Sequence, residues 1–300
     1  MNIVLTGSLG HISKPLTEIL IQKGHTVTVI SSKAERQKDI KALGAKAAIG
    51  TMEDVEFLIK TFKGAEIVYL METIGAGGFF DQNLDYMATI NKIANNYKQA
   101  VEESGVKQVV HLSSIGAHTD KGNGMLAFHY NVENILRQLP KDVSIKFMRP
   151  VGFYVNMLAF IPTIKTQNAV VQNYGGDEKE PWVSPLDIAA VIAEEMEKTF
   201  GGREIRYIAS EEVSPNEVAQ ILGEAIGKPD LKWQIISDEQ MLNGMKAAGM
   251  NPGIAKDLVE MNAGRRNDVL YEDYNQHKPT LGKVKLREFA KEFADVFNSK

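Results

Sequence analysis

The stretch Asn2-Ile3-Val4-Leu5-Thr6-Gly7-Ser8-Leu9-Gly10-His11-Ile12-Ser13 decides how the rest of the chain is read. A short apolar run breaks at two glycines, and apolar residues return at helical spacing in Lys14-Pro15-Leu16-Thr17-Glu18-Ile19-Leu20. The pattern predicts a strand, a tight turn and a helix. Such a turn aims backbone N–H groups and a helix N-terminus at one point, and both favour phosphate. Gly7 permits a backbone conformation that side chains resist, and Gly10 removes a Cβ where a pyrophosphate would approach. Gly7, Ser8, Leu9, Gly10, His11 and Ile12 are therefore the expected cofactor-binding turn. The spacing is G-x-x-G-x-x-S, with Ser13 where dinucleotide-binding turns usually carry a third glycine for close helix–strand packing. Taken alone, it also fits an ordinary glycine turn between a strand and a helix, so its neighbours must decide.

Outward from this stretch, apolar and β-branched runs alternate with helical patterns. Strands are expected at His25–Ile30, Ala45–Gly50, Ala65–Met71, Val106–Leu112 and Ser144–Met148, with helices between them, the longest from about Leu84 to Ser104. Counting the first run, six strands alternating with helices imply a doubly wound parallel sheet of the Rossmann type, an α/β fold. Its ligands belong at the carboxyl ends of the strands. A dinucleotide-binding domain is expected over residues 1–152 and a smaller C-terminal α/β substrate domain over 153–300. That boundary is soft, because the helix opened by Ser184-Pro185-Leu186-Asp187 can pack back on the sheet. Tyr154 to Tyr174, with Pro162 and several amides, reads as an extended excursion. Ser214-Pro215-Asn216-Glu217 is a capping box, and helices follow at Asp238–Ala248, Ile254–Asn262 and Lys285–Asn298.

Composition excludes several functions. A net charge of −4 without a local basic stripe argues against nucleic acid as a partner. No apolar run approaches the ~20 residues of a membrane span. Cysteine is absent, which removes disulfides, thiolate metal sites and a cysteine nucleophile. The six histidines show no metal-ligand spacing, so no metal site is expected. The opening residues lack a signal-peptide pattern, and the expectation is a soluble cytoplasmic protein.

The unusual residues fall at the inferred strand ends. Ser31, Ser32 and Lys33 follow the second strand, with Arg36 one turn on and no carboxylate at the strand end itself. NAD-selective proteins place an acid there for the ribose hydroxyl. Two hydroxyls and two cations suit a 2′-phosphate instead, so Ser32, Lys33 and Arg36 point to NADP (NADPH), with NAD as second choice. A solvated helix start explains the same cations. Ser113 and Ser114 end the fifth strand, where Ser113 can reach the cofactor and Ser114 a substrate carbonyl; a strand-end cap is the plain alternative. Tyr130 can face the same edge from the next helix, and His118 and His129 are reserve acids. Gly75-Ala76-Gly77-Gly78 is either a lid or a solvated connection, with Phe79 and Phe80 beside it. Met241, Met245, Met250 and Met261 can form an adaptable apolar wall or simply core.

The chain resembles the NmrA-like branch of the atypical short-chain dehydrogenase/reductases. The resemblance rests on Val4-Leu5-Thr6-Gly7-Ser8-Leu9-Gly10 and on Val109-Val110-His111-Leu112-Ser113-Ser114-Ile115-Gly116-Ala117. Met148-Arg149-Pro150, Asn156 and Val183-Ser184-Pro185-Leu186-Asp187-Ile188-Ala189 complete it. It implies a nucleotide-binding Rossmann domain and a small substrate domain. It leaves two activities open: an NAD(P)H-dependent oxidoreductase acting on a small carbonyl or quinone, or a non-catalytic NADP(H)-sensing regulator with a protein partner. The usual Tyr-x-x-x-Lys pair is incomplete, because Asn134 stands in the lysine position after Tyr130. An asparagine carries no charge to lower a tyrosine pKa.

Overall fold

The computed structural model describes residues 1–299. Its strands are β1 (Asn2–Leu5), β2 (Thr26–Ser31), β3 (Lys46–Ile49), β4 (Ile67–Leu70), β5 (Gln108–Leu112), β6 (Ser144–Pro150), β7 (Gly152–Phe153), β8 (Ala169–Gln172), β9 (Glu180–Val183), β10 (Arg203–Ile208), β11 (Glu211–Val213) and β12 (Lys232–Ile235). Seven form one parallel sheet in the order β10-β6-β5-β4-β1-β2-β3. The chain runs outward from β1 to β3, then returns to the other side of β1 with β4. The order thus reverses between β1 and β4, and a crevice opens at their carboxyl ends.

Both faces of the sheet are buried at its centre, where β1, β4 and β5 are apolar at nearly every position. Ile3 and Leu5 face one side, where Leu16 and Leu20 of the helix Ser13–Gln22 meet Ile188 and Ile192 of the helix Pro185–Glu197. Val4 and Val68 face the other, against Leu58, Phe62, Ile93, Tyr97 and Val132. A third apolar cluster draws on Tyr154, Phe160, Trp182, Leu222, Trp233 and Phe293.

The expected division at residue 152 is crossed by the chain. The helix Pro185–Glu197 covers the main sheet and β10 extends it beside β6. The excursion after Tyr154 is not extended: it holds a 3₁₀ helix over Tyr154–Phe160, an α-helix over Ile161–Gln167 and β8. Pro162 lies in the first turn of that α-helix, where a missing N–H costs nothing. Asn168 ends it at φ +53°, as an amide side chain tolerates. The run Gly75–Gly78 forms one helical turn. The segment after it is tied to the C-terminal helices, since Asn251 Nδ2 donates to the Asp81 carbonyl (2.8 Å) and Gln82 Nε2 to the Gly249 carbonyl (2.9 Å). Those helices span Asp238–Ala247, Pro252–Arg266, Glu272–Gln276 and Leu286–Ser299.

Candidate functional site

The turn after β1 is built from side chains pinned at the switch point. Buried Thr6 donates its hydroxyl to the Tyr69 carbonyl (3.1 Å) and accepts from the Met71 N–H (2.9 Å), locking the ends of β1 and β4 together. Gly7 and Ser8 then take positive φ values of 87° and 54°. The Gly10 N–H closes the turn onto the Gly7 carbonyl at 3.1 Å. Ser13 opens the helix and donates to the Thr6 carbonyl (3.0 Å), filling the place of the usual third glycine. Ser8 donates to Ser31 Oγ (2.9 Å), which ties the turn to the end of β2.

A cleft of about 440 Å³ lies over this turn. Gly7, Ser8, Gly10, His11, Ile12, Ser13, Ser31 and Ser32 line it, with Thr51, Met71 and Thr73 from neighbouring strand ends. None of its lining residues is a carboxylate. Tyr69 lines the cleft, and its buried hydroxyl has no hydrogen-bond partner among the described residues. Burial pushes its pKa far up, so it remains a neutral donor. Leu9 instead packs against the core. Lys33 and Arg36 are exposed beyond Ser32, with Arg36 3.8 Å from Asp39, and neither lines the cleft.

A second, larger cavity of about 700 Å³ adjoins the cleft, and Phe153, Val155 and Asn156 line both. Its wall is mainly apolar: Phe79, Phe128, Phe160, Trp182 and Leu270, together with Met245, Met250 and Met261. Its polar members include Ser114, His129, Asn156, Gln172, Asn262, Arg265 and the phenols of Tyr174 and Tyr271. Met241 and Phe80 stand outside it, and Phe80 is exposed.

Adjacent residues diverge here. Ser114 lines the cavity, whereas Ser113, expected at the cofactor, donates to Glu133 Oε1 at 2.6 Å in the buried interior. Both lie just past the end of β5, and their hydroxyls meet different surroundings there. Likewise His129 lines the cavity and Tyr130, the expected catalytic partner, does not. One helical step of ~100° separates them. Burial, then His111 and Arg149, hold the His129 imidazole well below its usual value. That favours the neutral imidazole at the position where the sequence suggested a reserve acid. Its buried Nδ1 has no partner among the described residues. His118 is also lowered, chiefly by burial, and lies outside the cavity wall.

The sequence matches the model of the NmrA-like family over residues 1–288. The chain belongs to the NmrA-like family. No curated protein matches its sequence. Several solved structures share its fold. An NADPH-dependent quinone oxidoreductase from Escherichia coli, solved with NADPH, is 20% identical with a TM-score of 0.79, over 97% of this chain and 99% of that one. A nucleoside-diphosphate-sugar epimerase from Staphylococcus aureus is 17% identical with a TM-score of 0.78, over 97% and 100%. The triphenylmethane reductase of Citrobacter sp. is 19% identical with a TM-score of 0.72, over 98% and 100%.

In this NmrA-like chain the residues around the incomplete tyrosine–lysine motif serve another purpose. Glu133, next to Asn134, takes two hydrogen bonds from Arg149, through Nε to Oε1 and Nη2 to Oε2, both at 2.8 Å. Arg137 adds a third at 3.0 Å. Arg149 also reaches Asp273 (2.9 Å) and Tyr207 (3.2 Å), so one guanidinium joins β6, β10 and two helices. Burial alone would raise the Glu133 pKa, but Arg149 and Ser113 outweigh it and hold the carboxyl below its usual value. This network supports the strand ends from beneath the site. Sequence reasoning did not find Trp182, Arg265 or Tyr271, which reach the cavity from elements far apart in the chain.

Proposed function

We propose that this NmrA-like protein is an NADPH-dependent oxidoreductase that reduces a small, largely apolar carbonyl compound or quinone. One observation carries the reading: the cleft over the glycine turn opens into the apolar cavity through Phe153, Val155 and Asn156. A nucleotide in the first would thus stand beside a substrate in the second. The cleft suits a dinucleotide, because a Cβ added at Gly10 would meet only the Gly7 carbonyl, at 3.2 Å. Gly10 therefore keeps space free rather than serving packing. The absence of a carboxylate among the lining residues and the hydroxyls of Ser31 and Ser32 favour NADP over NAD. Lys33 and Arg36, exposed and close in sequence, would swing onto a 2′-phosphate. The structural neighbours described with NADPH support the same reading.

When bound, the nucleotide supplies the hydride. The protein's share is placement and hydrogen bonding. The helix N-terminus at His11–Ser13 would hold the pyrophosphate. Ser114 donates its hydroxyl to the substrate oxygen, and neutral His129 is available on the same wall as a second polar group. The apolar wall excludes water and strengthens both contacts.

The alternative is a nucleotide-sensing regulator with a protein partner, favoured by Asn134 in place of the lysine. The deciding assay offers purified protein NADPH and a panel of quinones and aldehydes and follows loss of NADPH. Turnover of any member is expected. Tight NADPH binding with no turnover across the panel overturns the reductase reading in favour of the regulator.

A further inference from the structure

Arg265, on the helix Pro252–Arg266, is a largely buried cation and the one guanidinium among the described residues that line the cavity. Its guanidinium carbon lies 4.6 Å from the Tyr174 ring centroid and 4.7 Å from that of Trp182. Nη1 donates to the Tyr174 hydroxyl at 2.9 Å. Nε stands 3.5 Å from Glu180 Oε2, which also accepts from the Tyr271 hydroxyl at 2.7 Å. These contacts fix the plane of the fork. Nη2 has no acceptor among the described residues. It lies against Gly152, where an added Cβ would be only 2.7 Å away, and Gly152 lines the cavity. A guanidinium stays charged at any accessible pH. A ligand that displaces water from Nη2 must offer an acceptor in its place, because leaving that N–H unpaired is unfavourable.

We propose that Arg265 anchors the substrate, and that the substrate is a flat aromatic molecule whose neutral carbonyl oxygen accepts a hydrogen bond from Nη2. This rests on the reductase reading for the word substrate only; the binding claim stands without it. The aromatic character follows from the phenylalanines that line the cavity, Phe79, Phe128, Phe153 and Phe160, against which a planar ring can pack. The neutrality follows from Glu180. Its carboxylate already balances the guanidinium, so an incoming carboxylate would gain little charge and meet Glu180 nearby. A carbonyl takes the free N–H without adding charge.

The test is calorimetric titration of the full chain without nucleotide, using 1-tetralone, tetralin and 1-naphthoate as probes. Tetralone and tetralin differ by the carbonyl alone. Tetralone is expected to bind at least ~10-fold more tightly than tetralin, the scale of a hydrogen bond from a charged donor. Naphthoate is expected to bind more weakly than tetralone. The double variant Arg265→Met with Glu180→Gln removes both charges together, so neither is left buried alone. It should lose the tetralone preference while keeping tetralin and NADPH affinities within about twofold. If it does not fold, Arg265→Lys keeps the charge beside Glu180 without the fork, and the same loss is expected. Equal binding of tetralone and tetralin to the wild type overturns the proposal, as does a preference that survives in the variant tested. Tightest binding by naphthoate overturns the assignment to a neutral oxygen. The tetralone, tetralin and naphthoate titrations contain no nucleotide, and none of the titrations involves turnover. A protein that shows the preference yet reduces nothing refutes the reductase reading alone.

Discussion

The hydroxyl of Ser13 occupies the space that a side chain at Gly7 would need. A Cβ built on Gly7 would lie 2.5 Å from Ser13 Oγ, and the Gly7 backbone sits at φ +87°. Ser13 in turn donates to the Thr6 carbonyl, so one hydrogen bond both closes the helix onto β1 and forbids a side chain in the turn. The serine that departs from the usual glycine spacing is thus part of the turn's structure.

Gly7→Ala should therefore destabilise the whole protein. The left-handed backbone alone costs about 1–2 kcal/mol for a residue with a Cβ, and the contact with Ser13 adds to it. Denaturant melts should show the loss, and adding Ser13→Gly should recover the steric part only. Full recovery would mean that the backbone conformation carries no cost.

Gly10→Val should behave differently. Gly10 has no positive φ and its added Cβ meets only one carbonyl oxygen, so the fold should persist. The branched side chain would fill the cleft floor, and nucleotide binding should be abolished. Calorimetry with NADPH alongside a thermal melt separates the two effects; unchanged affinity would remove the pyrophosphate from this turn.

NADPH should bind at least ~10-fold more tightly than NADH, about 1.4 kcal/mol. Ser32 lines the cleft, while Lys33 and Arg36 are exposed beyond it and would move onto a phosphate, Arg36 leaving Asp39 to do so. The joint variant Lys33→Ala and Arg36→Ala should erase the preference. A protein that prefers NADH, or does not discriminate, has no such pocket.

On any substrate that is turned over, Ser114→Ala should lower kcat by about a hundredfold, the usual cost of one donor to a developing oxyanion. Tyr130→Phe should leave kcat unchanged, because Tyr130 lines neither cavity. A large loss in Tyr130→Phe would show that the helix turns during binding.

Acid should weaken the fold through Glu133. Its carboxyl is held below the ordinary value of 4.5 by Arg149 against the effect of burial. A depressed carboxyl contributes stability that is full above its unfolded value and is lost as pH falls through its folded value. Stability should thus fall with pH below 4.5, and Glu133→Gln should make that fall shallower. At neutral pH the variant should be less stable by about 3–5 kcal/mol, since Arg149 loses its main buried partner. Urea melts on either side of pH 4.5 measure both.

The sequence by itself determined the elements whose signals are local. The apolar runs of β1 to β6, the glycine turn and the serine caps at Ser184 and Ser214 depend on a residue's immediate neighbours, and all are where the pattern placed them. So are the strand ends that form the crevice. What only the tertiary structure decided is which side chain faces what. Ser113 and Ser114 are alike in sequence, but buried Glu133 takes one hydroxyl and the cavity receives the other. His129 and Tyr130 differ by one helical step, and the packing of their helix decides which meets the cavity. The strands β7, β8, β9 and β11 interrupt loops and helices without a flanking strand–helix alternation to announce them, and exist because partners elsewhere in the chain pair with them: β8 with β12, and β9 with β7 and β11. Arg265 and Glu180 are far apart in the chain, and neither segment signals the other. Local pattern encodes backbone conformation; a site is made by contacts between distant segments, and those arise only when burial of the shared apolar surface brings the segments together.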